Sequence, residues 1–266
     1  MNKPLATIAA AGDVSKLSKQ TDVNAEIRQL TRRAFTTGAI ATLAGIAGVR
    51  WLATREQEDG IPWPLRRVLR LNESIAQRFF SPNRPAPEFP VAAAQELREN
   101  GHVGLMSPAR LEDWTVHVTG KADRHIPLSA IKQLPAYEMT TEFKCVEGWS
   151  RVVSWRGVRL ADFLSKYGAP SQYVGISTPP DGQTPSGQPD RYCVGLDQPS
   201  AVHRQTLLCY EMNGAPLTQG HGAPLRLVST VKYGYKCIKR ISVIDLTDVR
   251  PADFWAKRGY DWYGGH

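Results

Sequence analysis

Two adjacent arginines, Arg32 and Arg33, stand immediately before a weakly apolar run, 34–49, that carries Gly38, Gly45, Gly48 and several threonines. This feature constrains the chain most, because it divides it. A basic stretch followed by a modestly apolar one is an export address, and the paired arginines predict the route used by proteins that fold before they are exported. Sixteen residues of helix rise about 24 Å, short of a ~30 Å hydrocarbon core. Continuation through Trp51, Leu52 and Ala53, with Arg50 reaching back to the headgroups, completes a span. No A-x-A cleavage site comes after it. A cleaved signal and a retained inner-membrane anchor over 1–54 therefore both stay open, and both predict a periplasmic body. Folding before export commonly serves to insert a cofactor in the cytoplasm, so the address predicts a tightly held prosthetic group.

Composition narrows the class of the body. The chain has 266 residues, 42% hydrophobic and 22% charged, which excludes a disordered, collagen-like or multi-span membrane protein and leaves length for a real core. Four cysteines exclude a disulfide scaffold. Zinc-finger, c-type haem and cysteine-held iron–sulfur spacings do not occur. The net charge is +8, but residues 1–55 hold eight Lys or Arg against three acids, leaving only +3 on the rest. A nucleic-acid footprint needs a basic body, so no nucleic-acid partner is expected.

Six prolines make 55–104 an irregular lead-in, with one helix expected over 66–79 and another over 92–99, stopped by Asn100-Gly101. From Trp114 the texture becomes short strands and short helices. Strands are expected at 114–118, 140–144, 173–177, 225–229 and 240–245, and helices at 128–134 and 160–167, the latter closed by Gly168. A surface loop is expected at 179–191. There is no repeat period. The mixture predicts one α+β domain over 105–266. The aromatic tail (Phe254, Trp255, Tyr260, Trp262, Tyr263) is expected to pack over that domain, with a lip for substrate or partner as the alternative.

One cysteine stands apart. Cys145 comes after an extended stretch and precedes a turn containing Gly148 and Trp149. A thiolate there suits a nucleophile or a soft metal ligand, and a buried inert thiol fits the residues equally well.

The segments K-C-V-E-G-W-S (144–150), W-R-G-V-R-L (155–160), Y-E-M-N-G-A-P-L (210–217), H-G-A-P-L-R-L (221–227) and V-K-Y-G-Y-K-C-I-K (231–239) occur in the order and spacing of one family. They resemble the sulfite-oxidase superfamily of molybdopterin-dependent oxidoreductases, most closely its bacterial periplasmic branch containing the methionine-sulfoxide-reductase molybdoenzymes. The resemblance covers roughly 110–260, with a weaker match at S-P-N-R (81–84). It implies the sulfite-oxidase α+β fold and a single molybdenum–molybdopterin cofactor (Mo-MPT) whose metal is bound by the Cys145 thiolate. It implies that pterin and phosphate are gripped by His221, Arg226, Gly234, Tyr235 and Lys236. Thr178, which lies 33 residues past Cys145, and Asn83 match further pterin-contacting positions. Such groups suit an anion: arginine bidentately, lysine as a point charge, glycine by letting the backbone approach.

The chain also departs from the family. Sulfite oxidases in the narrow sense carry an arginine pair after the cysteine turn. Trp149, Ser150 and Arg151 stand here, so Arg151 is expected to line the site and sulfite is not the first substrate. The implied chemistry is two-electron oxygen-atom transfer on a small molecule, either S-oxide or N-oxide reduction or a sulfite-like oxidation. The chain ends 121 residues after Cys145, too soon for the immunoglobulin-like dimerisation domain of many relatives, which implies a monomer or a heteromer. Without a haem motif, electrons need a separate partner, a haem cytochrome. The rival readings are a non-catalytic electron-transfer or binding subunit, which the intact Cys145 opposes, and a metal-free structural partner. Cys193, Cys209 and Cys237 are either three free thiols or include a Cys193–Cys209 pair.

Overall fold

The computed structural model describes residues 7–58, 60–106, 111, 113–183 and 191–266, with side chains from residue 24 onward. It divides into two compact units, Met1–Glu56 and Gln57–His266. The first is one helix, α1 (Thr7–Ala53). Its segment Asn24–Ala53 is long and apolar enough to cross a membrane. Thr31, Thr36 and Thr42 donate their hydroxyls to carbonyls one turn back, so these polar groups need no water.

The second unit begins with a hairpin, β1 (Gln57–Glu58) and β2 (Ile61–Pro62), which leads into α2 (Trp63–Phe79). Then come β3 (Thr115–Gly120), β4 (Arg124–Pro127), α3 (Leu128–Lys132), β5 (Ala136–Lys144), β6 (Ser150–Arg159) and α4 (Leu160–Tyr167). The chain continues through β7 (Tyr173–Ser177), β8 (Cys193–Asp197), α5 (Gln198–Ala201), β9 (Thr206–Met212), β10 (Ala215–Pro216), β11 (Arg226–Ser229) and β12 (Val243–Thr247). One antiparallel sheet has the order β10-β9-β6-β5, with β11 also on β9. The other has the order β4-β3-β12-β7-β8 and is mixed, because β12 runs parallel to β3. One antiparallel and one mixed sheet with few short helices make this an α+β fold.

The main core collects Val116, Val118, Val174, Ile176 and Ile244 from the mixed sheet with Val158, Leu208, Leu225 and Leu227 from the antiparallel one and its approach. Strand alternation sends Leu208 and Tyr210 of β9 into that core, while Leu207 and Cys209 point to a second cluster with Trp155, Val153 and Leu97. The antiparallel sheet is thus covered on both faces, which keeps the end of β5 and the start of β11 in place.

The expected helix over 92–99 is absent; only a single turn, Val91–Ala93, forms there. The backbone is committed to the sheet instead. Phe89 N donates to Thr140 O and Gln95 N to Val152 O, each at 2.8 Å, and Leu97 drops into the second cluster. Local propensity yields to those tertiary partners. Gly168 does close α4, but in extended rather than left-handed conformation, through its N–H to Leu164 O. The last core strand starts at Val243, because Arg240 is buried with φ +48° and cannot continue a ladder. Strands β6, β8 and β9 had no separate sequence signal. The loop expected at 179–191 lies mostly outside the described residues. Residues 57–104 belong to the same compact unit as the rest of the body.

Candidate active site

β5 ends at Lys144, and Cys145 opens the turn into β6. Cys145 N donates to Trp149 O at 2.9 Å and Gly148 N donates to Cys145 O at 3.1 Å. Gly148 sits at φ +86°, a conformation glycine adopts without a Cβ penalty. The turn therefore fixes the backbone under the thiol and leaves Cys145 half-buried at the wall of a cavity of about 360 Å³. Burial is the main cause that raises the Cys145 pKa, so the thiol keeps its proton until a cation takes its place.

Arg226, the first residue of β11, lines the same cavity and is 2% exposed. Its Nη1 donates to His221 O at 3.1 Å and its Nη2 to Cys237 O at 3.2 Å. Its Nε has no hydrogen-bond partner among the described residues. The guanidinium lies 4.9 Å from the Trp155 ring centre, so its plane is held by packing as well. A buried cation with a donor left over is a site for an anion.

The third wall is the turn Gly234–Lys236. A Cβ on Gly234 would lie 2.7 Å from the Phe143 ring, so only glycine lets this backbone come so close. Tyr235 is fixed at both ends: its hydroxyl donates to Asp261 O at 2.7 Å and its carbonyl accepts from Tyr192 Oη at 2.6 Å. Arg98 and Lys239 add two further cations to the lining, against the single carboxylate of Glu147. Lys239 Nζ donates to Asn100 O at 2.6 Å, and burial pushes its pKa down to about 8. Tyr192, Phe254, Trp255 and Tyr260 complete an aromatic side.

Of the residues singled out in the sequence, Cys145, Arg226, Gly234 and Tyr235 line this cavity together. The others do not. His221 is buried behind Arg226, with Nε2 3.8 Å from Glu99 and its pKa lowered chiefly by burial. Thr178 is fully buried, donating to Pro179 O and accepting from Tyr192 N. Lys236 turns away from the cavity; its ammonium is held by Asp253 and Trp262 O, each at 2.5 Å, with no exposure. Arg151 is exposed and donates to its neighbour Ser150 O, and Asn83 is exposed. The lysine–arginine group at 232–240 reads as a solvated face on charge alone, yet Lys232, Lys236 and Arg240 are buried. The aromatic tail divides: Phe254, Trp255 and Tyr260 line the cavity, while Trp262 and Tyr263 pack with Ala256. Arg98 was not singled out, because the sequence placed it in a helix over 92–99 that does not form. Lys239 was visible as the last residue of the 231–239 motif.

The donor set fits a molybdopterin: one soft sulfur, a buried guanidinium with a donor to spare and two more cations for a phosphate, and aromatic faces for a flat ring.

Residues 102–255 match the family described as the oxidoreductase molybdopterin binding domain. The chain is similar to a putative protein-methionine-sulfoxide reductase subunit, YedZ1, of Azospira oryzae, 29% identical over 99% of this chain and 98% of that one. It is also similar to the protein-methionine-sulfoxide reductase catalytic subunit MsrP of Xanthomonas campestris pv. campestris, 38% identical over 55% of this chain and 48% of the relative. The chain thus spans about half the length of the Xanthomonas protein it matches. Among solved structures it resembles the sulfane dehydrogenase SoxCD from Paracoccus pantotrophus, at 16% identity and a TM-score of 0.47, over 64% of this chain and 47% of that one.

Proposed function

The chain belongs to the oxidoreductase molybdopterin-binding domain family, a molybdopterin-dependent enzyme of the sulfite-oxidase superfamily, and from that premise we propose that it reduces a small S-oxide by oxygen-atom transfer. The observation that carries this reading is one cavity holding both a half-buried cysteine, Cys145, and a buried arginine with an unused donor, Arg226. When bound, the molybdenum–molybdopterin centre supplies a metal that exchanges an oxygen atom and two electrons with the substrate.

The chain's own residues do the rest. Cys145 contributes the thiolate ligand. Arg226, Lys239 and Arg98 would hold the phosphate, and the Gly234–Tyr235 turn would flank the pterin. His221, Thr178 and Lys236 act from behind the wall by fixing Arg226, the Tyr192 segment and the Gly234 turn. Trp255 and Tyr260 exclude water and offer apolar surface to a thioether-like side chain. Arg151 and Asn83 stand outside this set. The names of the relatives favour sulfoxide reduction over sulfite oxidation, and the lack of a cavity-lining arginine pair after the cysteine turn agrees. Residues 1–54 serve as twin-arginine signal and anchor, 55–104 as the lead-in and 105–266 as the catalytic domain. Electrons arrive from a separate haem cytochrome partner at the periplasmic face.

Protein from a molybdenum-replete host decides the matter. The expected result is about one molybdenum and one pterin per chain, with methionine sulfoxide or dimethyl sulfoxide oxidising a reduced viologen dye. Sulfite-dependent dye reduction without sulfoxide turnover overturns the substrate. A metal-free chain made alongside a loaded family member overturns the enzyme reading in favour of a binding subunit. Changing both Arg32 and Arg33 to Lys is expected to leave folded, loaded enzyme in the cytoplasm. Unchanged periplasmic activity in that variant removes the export route.

A further inference from the structure

Helix α2 is amphipathic in the sense opposite to that of a helix packed on a soluble domain. At about 100° per residue, Leu65, Val68, Leu71, Ile75 and Phe79 fall on one arc of roughly 120°. All five are exposed, by 43–78%. The face turned to the body is mixed: Leu69 and Ala76 are half-buried there beside buried Arg66 and Glu73. Arg66 Nη2 donates to Ala256 O at 2.8 Å, Glu73 accepts from Arg250 Nη2 at 2.7 Å, and Ala76 packs against the cluster of Ala256, Trp262 and Tyr263. Arg66 and Glu73 are buried, so these contacts fix which way the helix faces. A surface helix normally turns its apolar stripe to the core. Here the stripe points outward with Asn72 as the polar residue inside its arc, and an exposed patch this apolar marks a surface that something covers.

The flank of the stripe says what. Arg67 and Arg78 are exposed and border it beside Leu71. An apolar arc edged by arginines is the composition of a helix that lies in a membrane interface, with the apolar chains below the headgroups and the cations among the phosphates. A bilayer supplies both chemistries at once without a complementary shape. Chain length agrees. Nine residues, 54–62, separate the end of α1 from the start of α2, and fully extended they reach at most roughly 30 Å. A retained α1 therefore keeps α2 within reach of the bilayer that α1 spans.

We propose that the face of α2 formed by Leu65, Val68, Leu71, Ile75 and Phe79 lies on an anionic phospholipid surface, with Arg67 and Arg78 meeting the lipid phosphates. This rests on the reading of α1 as a retained anchor. Its consequence is an enzyme held flat against the membrane that carries its electron donor.

The test uses the full, cofactor-loaded chain in nanodiscs containing phosphatidylglycerol. A nitroxide is placed at Val68→Cys, at Ile75→Cys and, off the stripe, at Ser74→Cys, with the unsubstituted labelled chain subtracted. Power saturation then compares access of apolar oxygen with access of an aqueous nickel chelate. The expected result is a reversal: oxygen outweighs nickel at 68 and 75, and nickel outweighs oxygen at 74. The contrast should shrink in discs of phosphatidylcholine alone. Nickel access at 68 and 75 equal to that at 74, in a chain that co-elutes with the disc, overturns the docking and leaves the anchor standing. Low access of both reagents at 68 and 75 shows a protein covering the stripe, a second copy or a partner, and also overturns it. An equal contrast in both discs overturns the requirement for anionic lipid. A chain that elutes apart from the discs overturns anchor and docking together.

Discussion

Lys236 and Asp253 form an ion pair of 2.5 Å in which neither side chain touches solvent. The same ammonium donates to Trp262 O, and the same carboxylate accepts from the backbone N–H groups of Gly195, Trp255 and Ala256. The pair therefore ties the cavity turn to the C-terminal tail. Replacing one partner leaves a buried charge uncompensated, so Lys236→Met and Asp253→Asn are each expected to cost about 3–5 kcal/mol in urea unfolding. Loss of cofactor in Lys236→Met should track that loss of stability. A variant as stable as wild type but empty of pterin would instead make Lys236 a direct ligand.

Cys145→Ser is expected to keep the fold and most of the pterin, because the other walls are intact, and to lose nearly all activity per bound molybdenum. Oxygen is a harder and less acidic donor than sulfur. The Mo(V) paramagnetic signal should change as well. Cys209→Ser, in a fully buried position, is expected to do the reverse: it places a hydroxyl in an apolar cluster at about 1–3 kcal/mol, with activity per metal preserved. Wild-type turnover per metal in Cys145→Ser would sink the assignment of the metal ligand.

Lys239 and Arg226 separate grip from scaffold. Lys239→Gln removes a cavity cation whose hydrogen bonds go to the carbonyls of Asn100 and Gly101, so stability should change little. Pterin retention should fall, since a charge-assisted bond to an anion contributes about 1.5–3 kcal/mol. Arg226→Gln should lower both, because that guanidinium also holds His221 O and Cys237 O. Pterin per chain after gel filtration, set beside the urea midpoint, distinguishes the two variants. Equal pterin content in wild type and Lys239→Gln would place the phosphate elsewhere.

Acid should destabilise the body through His203. The residue is 1% exposed, and burial lowers its pKa below the ordinary 6.5. Below about pH 6.5 the unfolded chain binds a proton that the folded chain refuses, so stability is full above that pH and declines as pH falls toward the folded value. The urea midpoint should drop between about pH 7.5 and about pH 5.5, and drop less in His203→Gln. An identical slope in the variant would assign the acid sensitivity to the other buried histidine, His221, whose pKa burial also lowers.

Where sequence and structure agree, the information is local. Strand β3 and helix α4 obey their periodicities, and the Cys145 turn is written in the spacing from Lys144 to Trp149 with Gly148 at the positive φ. Motif order carried Arg226, Gly234 and Tyr235 into one site, because each sits at the boundary of an element that the motif also specifies. Direction was not legible. Gly234, Tyr235 and Lys236 are consecutive, yet a turn between them sends the lysine to Asp253 while the other two line the cavity. Arg98 reaches the site from a segment with helical propensity that the edge of the antiparallel sheet draws out through Gln95 N and Val152 O.

By itself the sequence determined the α+β domain, the family and the cysteine turn that forms one wall of the cavity. Each of these comes from residues close together or from motifs in fixed order. Only the tertiary structure decided which cations face the cavity and which are buried as braces, and that α2 turns its apolar stripe outward. The physical reason is the same in both cases. A 3.6-residue period or a basic cluster states that a side is special, but which partner that side meets depends on groups distant in the chain, here Asp253 for Lys236 and Ala256 and Arg250 for α2.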